Sequence, residues 1–269
     1  MIDRRDLLKI GAVSFVASSI PLATYHYVFL GISNRILNYH IDGILENEVV
    51  FSTHASFKHP SFGRDEEKQM DGPGTIVKYK GKNYIFTVDH LTSVKEIQIN
   101  MGSFGRQSLC VKGTFSEESR LGVILLEKIV SHFKRDVAVF KLPEGYETPN
   151  YKVRLADNDD QETLDKVYLL GKPRGIRRNI REGIIANKIG ISKFSDGTEF
   201  EGFNISTGGY FGDSGTPAIN SSGEIIGFFS QLHFNSISSY IMPINWYKEE
   251  IDKYESTQKV LHTRCKEST

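Results

Sequence analysis

From Glu48 onward the chain runs as short β-rich stretches punctuated by Gly, Asn, Asp and Lys. Thr75–Tyr79 and Asn83–Val88 flank Lys80-Gly81-Lys82, which predicts a hairpin. Further strands are predicted at Glu96–Ile99, Ser108–Gly113, Val137–Leu142, Lys166–Leu170, Gly183–Ile189, Phe200–Ile205, Glu224–Phe229 and Tyr240–Met242. Many short strands with no helical period between them indicate an all-β sandwich or barrel. The pattern changes at Asn245–Tyr254. Asn245 is a suitable N-cap, Glu249 and Glu250 follow, and Trp246, Tyr247, Ile251 and Tyr254 offer an apolar side, so a helix is expected. Lys58–Gly72 is polar and charged and reads as a solvated loop. No internal repeat or low-complexity tract is present.

The N-terminus has a different pattern. Arg4, Arg5 and Lys9 precede a stretch from Ile10 to Asn34 without Asp, Glu, Lys or Arg. A basic start before an apolar run is the pattern of an export signal. Arg4-Arg5-Asp6-Leu7-Leu8-Lys9 also resembles the bacterial twin-arginine signal, with Asp3 where Ser or Thr is usual. A cleavable signal would use Ile10–Ala23, with Ser19 or Ala23 at the cut. An uncleaved anchor would use Ile10–Ile32, which reaches the roughly 20 residues that span a bilayer. Both place Arg4, Arg5 and Lys9 in the cytoplasm and the remainder outside it. A helix of the globular domain is the third option.

Composition then narrows the classes. The chain has 269 residues, with 33 basic and 33 acidic side chains. The formal charge of zero supplies no bulk field for nucleic acid. Cys110 and Cys265 can form at most one bridge and have no metal-ligand spacing, so two free thiols are expected. His54, His59, His132, His233 and His262 are scattered and read as surface or loop residues, and His26 lies in the apolar segment. No metal and no cofactor is expected. Arg174–Arg181 is the densest basic cluster and reads as a solvated loop; it lacks the interleaved aromatics that nucleic-acid stacking requires.

Three segments carry chemistry. Gly212-Asp213-Ser214-Gly215-Thr216-Pro217 holds a serine between glycines, a sequence that allows a tight turn with backbone N–H groups aimed at one point. A nucleophilic hydroxyl needs a neighbouring base, and the oxyanion formed on attack needs fixed donors. The N–H groups of Gly212 and Ser214 are the candidates for the latter. Phe86-Thr87-Val88-Asp89-His90 places a histidine at the end of an apolar strand, and Asp136 opens the alternating strand Val137–Leu142. Separately, these could be a turn, a structural histidine and a strand-start acid. Together they supply the base on the serine and the carboxylate on the base that a Ser-His-Asp unit requires. The chain order His90, Asp136, Ser214 is that of the chymotrypsin-like enzymes.

From about Val50 to Tyr254 the sequence resembles the trypsin/chymotrypsin-like serine proteases, with the bacterial Deg (HtrA-type) branch the nearest likeness. Gly72–Val77 followed by Tyr84–His90 is similar to that branch's Gly-rich strand leading to the histidine. Asp136–Leu142 resembles its aspartate strand, Leu170–Gly175 its G-x-P segment and Gly183–Ala186 the strand after it. Asn220–Gly227 resembles the strand pair after the serine, and Met242–Asn245 the entry to a closing helix. The resemblance implies two packed six-stranded antiparallel β-barrels with a C-terminal helix and the triad in the cleft between them. It implies peptide-bond hydrolysis through an acyl-enzyme, with Ser214 attacking, His90 moving the proton, Asp136 orienting His90, and Gly212 and Ser214 binding the oxyanion.

Three departures stand out. Asp213 replaces the Asn usual in the Deg branch. In digestive proteases an Asp there pairs with an N-terminus freed by cutting, yet no matching activation site is evident. Asp89 is an unusual charge before the histidine. With only 23 residues after Trp246, no PDZ domain is expected.

The specificity pocket is expected near Gly208, Phe229 and Ser230, with Tyr210 at its entrance. No acid stands at Gly208, so an apolar or small side chain before the cut is expected rather than Arg or Lys. The resulting division is an export signal or membrane anchor at 1–35, the protease domain at 36–256, and a tail at 257–269. The expected partners are peptide or protein substrates, a membrane through the N-terminal segment and, by resemblance to trimeric Deg relatives, further copies of the chain. The expected location is the periplasm or beyond. The alternative is an inactive pseudoprotease that binds a partner.

Overall fold

The computed structural model describes residues 22–58, 65–93, 96–100, 108–112, 116–171, 179–193, 199–210, 212–232 and 238–267. It divides into two compact units, residues 1–42 and 43–269. Helix α1 (Leu22–Glu46) runs across that division. Most of the apolar stretch Ile10–Ile32 lies outside the described residues, as do the arginine pair and the expected cleavage point at Ser19, while Ala23 lies in the first turn of α1. Among the described residues no helix is long and apolar enough to cross a membrane.

The second unit is built from two sheets and a closing helix. The first sheet has seven strands in the order β7-β6-β1-β2-β3-β9-β8. Its strands are β1 (Glu48–Lys58), β2 (Asp65–Tyr79), β3 (Lys82–Thr87), β6 (Ser116–Leu121), β7 (Ile124–Leu125), β8 (Glu127–His132) and β9 (Val137–Lys141). A separate hairpin joins β4 (Glu96–Asn100) to β5 (Ser108–Lys112). The second sheet closes into a six-stranded barrel in the order β10-β11-β12-β15-β14-β13. Its strands are β10 (Lys166–Gly171), β11 (Asn179–Lys193), β12 (Glu199–Ile205), β13 (Pro217–Asn220), β14 (Ile225–Leu232) and β15 (Ser239–Pro243). The all-β expectation is met by one closed barrel and one open, half-barrel sheet.

The alternation in the sequence becomes two cores. Phe51, Ile76, Ile85, Phe140 and Leu142 form the core against the first sheet, with Leu91 packed against them. Val167, Leu169, Ile185, Ile205, Ala218, Ile226, Phe229 and Ile241 fill the barrel. Helix α2 (Ile244–Glu267) joins the two. Its Tyr247 stacks on Phe86 of β3 at 5.2 Å and meets Phe228 of β14 at 5.0 Å, while Phe86 and Phe228 are 6.0 Å apart. All three rings are fully buried. Ion pairs tie α2 to the first sheet: Lys80 to Asp252 at 2.5 Å, Lys82 to Glu255 at 2.7 Å, and Arg135 to Glu249 at 2.7 Å.

Two expectations need correction. The predicted loop Lys58–Gly72 contains β2 from Asp65 onward, paired residue for residue with β1 from Lys58↔Asp65 to Phe51↔Gly72; residues 59–64 lie outside the described residues. Its polarity belongs to a two-faced ribbon. Ser52 donates to Asp71 at 2.6 Å, Gln69 to the same carboxylate at 2.9 Å, and His54 pairs with Glu67 at 2.6 Å. These cross-strand polar pairs hold the outer face, while Phe51, Thr53 and Ala55 of β1 bury the inner one. The closing helix also extends well past Tyr254. The side chains of Cys110 and Cys265 lie outside the described residues.

Candidate active site

The strand β3 ends at Thr87, and Asp89–Leu91 form one turn of 3₁₀ helix. Leu91 anchors that turn in the first core, which leaves the His90 ring one-third exposed beside it. A second 3₁₀ turn, Phe133–Arg135, precedes Asp136, whose backbone is left-handed at φ 49°. Aspartate tolerates that conformation better than most residues. It turns the carboxylate inward, where it is fully buried.

Asp136 is satisfied on both oxygens. Oδ1 accepts the His90 backbone N–H at 2.9 Å, and Oδ2 accepts the ring Nδ1–H at 2.9 Å. A carboxylate can only accept, so Nδ1 carries the proton and Nε2 keeps its lone pair. The Ser230 hydroxyl donates to the same Oδ2. Burial works to raise the Asp136 pKa, but the charge of His90 and these hydrogen bonds outweigh it and hold the group below its ordinary value. Burial likewise opposes a charged His90, yet the charge and hydrogen bond of Asp136, with Asp89 adding, leave its pKa raised.

Ser214 stands on the turn between Gly212 (φ 96°) and Gly215 (φ 84°), conformations that favour glycine. Its hydroxyl donates to the Ser230 carbonyl at 3.3 Å. The turn is packed against the histidine side of the site. A Cβ on Gly215 would lie 2.5 Å from the Pro73 carbonyl, 2.7 Å from Thr87 Oγ1 and 3.3 Å from Leu91 Cδ1. Ser230 therefore touches both halves, through its hydroxyl to Asp136 and its carbonyl to Ser214. The amides of Asp213, Gly215 and Thr216 bond to the carbonyls of Tyr210, Phe229 and Asp213. Among the described residues, those of Gly212 and Ser214 make no hydrogen bond.

The model of the trypsin-like peptidase domain matches residues 72–228, more than half of the chain and all three of these side chains. The chain belongs to the trypsin-like peptidase family. It is 26% identical over 203 residues, 74% of its length, to a probable periplasmic serine endoprotease, DegP-like, from Pseudomonas fulva (strain 12-X). It spans only 37% of that relative's length. Its fold is similar to that of an HtrA-type protease with a decapeptide, with a TM-score of 0.55 and 16% identity. That similarity covers 78% of this chain and 64% of the other.

In this trypsin-like peptidase the expected pocket residues differ in exposure. Gly208 is partly exposed and Tyr210 is 56% exposed at the surface. Phe229, expected on the pocket wall, is 2% exposed and packs into the barrel core. Ser230 is 3% exposed and serves the Asp136 carboxylate. In β14 Phe229 faces the barrel core, while its neighbour Phe228 faces Phe86 and Tyr247.

Two residues gain roles that the sequence does not announce. Arg181, read as the end of a solvated basic loop, lies in β11 with its side chain 13% exposed and paired to the buried Asp213 at 2.5 Å. A buried aspartate inside the serine motif was the available signal, since such a charge needs a partner. Asp89 is 1% exposed and accepts hydroxyls from Ser131 at 2.5 Å and Ser93 at 3.3 Å. Burial raises its pKa against those hydrogen bonds. The rest of the basic cluster, residues 174–178, lies outside the described residues.

Proposed function

We propose that this chain is a serine endopeptidase that hydrolyses peptide bonds through an acyl-enzyme. The observation that carries this reading is the fixed Asp136–His90 couple, with Nδ1 protonated and Nε2 free to accept a proton. Ser214 Oγ would turn from the Ser230 carbonyl toward Nε2 and attack the substrate carbonyl as His90 takes its proton. Hydrogen bonds of this kind are often loose before substrate binds. Asp136 would stabilise the imidazolium and keep the tautomer. The amides of Gly212 and Ser214 would receive the oxyanion. His90 would return the proton to the leaving amine, and the same steps with water would release the acid.

A fluorophosphonate probe tests this directly. Wild type should be labelled at Ser214, and Ser214→Ala should not react. Folded wild type that stays unlabelled while a control protease reacts would instead favour a partner-binding pseudoprotease.

We place the activity outside the cytoplasm. The support is the Arg4-Arg5 start with its apolar stretch and the likeness to a periplasmic relative. Cell fractionation, with the mass of the mature N-terminus, should find the domain in the periplasmic or inner-membrane fraction.

A further inference from the structure

We propose that Arg181 is the internal counter-ion that holds the oxyanion turn in register, so that this peptidase needs no freed N-terminus to become active. The inference rests on the serine-peptidase reading. Asp213 lies between the two residues whose amides would bind the oxyanion, and its carboxylate is fully buried. Its Oδ2 accepts from Arg181 Nη2 at 2.5 Å and from the Tyr210 backbone N–H at 2.7 Å. The Asp213 amide returns a bond to the Tyr210 carbonyl at 3.1 Å. One carboxylate thereby fixes the chain on both sides of Gly212.

A buried carboxylate deprived of its cation is strongly destabilised and must take up a proton or turn toward water. Turning Asp213 outward would rotate the flanking peptides and withdraw the Gly212 and Ser214 amides from a common point. Arg181 prevents this from inside the fold. It comes from β11, whose register with β10 pairs it with Leu169. Its guanidinium lies 5.0 Å from the Tyr210 ring centroid. The space for the pair is kept by Gly171, where a Cβ would collide with both Arg181 Nη2 and Asp213 Oδ1. Arg181 sits in mid-chain, so the cation is present as soon as the barrel closes. Arg181 is thus a positioning residue that acts on the reaction through Asp213.

The test compares wild type, Arg181→Met, Asp213→Asn and the double variant by peptide hydrolysis and fluorophosphonate labelling, normalised to folded protein. Arg181→Met should lower kcat roughly 10²–10³-fold, the scale of losing an oxyanion donor, with KM within about threefold. Arg181→Lys should recover part of the loss. Once Asp213 is neutral, Arg181 has no charge to hold, so the double variant should match Asp213→Asn alone. This comparison decides even if Arg181→Met fails to fold. A further loss of about tenfold or more in the double variant overturns the inference, as does wild-type kcat in folded Arg181→Met. Labelling confined to chains cut beyond residue 42 also overturns it. Wild type that does not label removes the peptidase reading and this inference together.

Discussion

The hydroxyl of Ser230 donates to Asp136 Oδ2, the oxygen that also receives the His90 ring proton. Ser230→Ala removes one donor from a fully buried carboxylate. The expected cost is about 1–3 kcal/mol of stability, measured by urea unfolding. The couple also loses a restraint on its orientation, so kcat/KM should fall by up to roughly 10²-fold. Unchanged stability and rate would show that Ser230 does not support the couple.

The raised pKa of His90 fixes a pH dependence. Its neutral form is the base, so the acid limb of kcat/KM should lie above its ordinary 6.5. Burial opposes this, but Asp136 and Asp89 push the pKa up, and Lys128 favours the charged form of Asp89. Asp89→Asn should move the limb down toward 6.5. A limb that stays in place would exclude Asp89 from setting it.

The same residue gives a stability prediction of definite sign. The folded pKa of Asp89 is raised above 3.8. Its favourable contribution is therefore complete below 3.8 and is lost as pH rises through the folded value. The Tm of Asp89→Asn minus that of wild type should become more positive from pH 4 to pH 8. Thermal melts across that range measure it.

Gly215 and Gly81 form a matched pair, with φ 84° and 85°. A Cβ on Gly81 meets nothing within 4 Å, whereas one on Gly215 meets Pro73, Thr87 and Leu91. Gly81→Ala should cost about 1 kcal/mol of backbone strain and leave kcat/KM unchanged. Gly215→Ala should cost on the order of 3 kcal/mol and reduce kcat/KM at least roughly 10²-fold, because the serine turn must shift. Parallel melts and peptide assays separate the two.

The Tyr247 hydroxyl is buried with no hydrogen-bond partner among the described residues. Tyr247→Phe should be neutral or stabilising by up to about 1 kcal/mol. Tyr247→Ala should cost about 3–5 kcal/mol through the lost ring. Denaturant unfolding distinguishes these outcomes.

The sequence made β10, β14 and β15 legible through their buried apolar runs, while the four-residue β13, opened by Pro217, carries too short a pattern to read. It also placed His90 and Asp136 on the elements that bring the two into hydrogen bond. Other features resisted. β2 is polar where it pairs with β1, so its strand character lies in backbone pairing that side-chain pattern does not report. The Arg181–Asp213 pair joins positions 32 residues apart, and no local period links them. Ser230 carries two hydrogen bonds to the site from a strand whose neighbour, Phe229, belongs to the core.

The aromatic joint of Phe86, Phe228 and Tyr247 has a consequence for biosynthesis. His90 and Asp136 are carried by the first sheet, Ser214 by the barrel, and the ring that locks the two sheets together comes from a helix translated after all of them. A nascent chain can hold every reactive side chain and still lack the joint that aligns them. On the proposed reading, the site is aligned only once α2 has emerged and docked Tyr247 against Phe86 and Phe228.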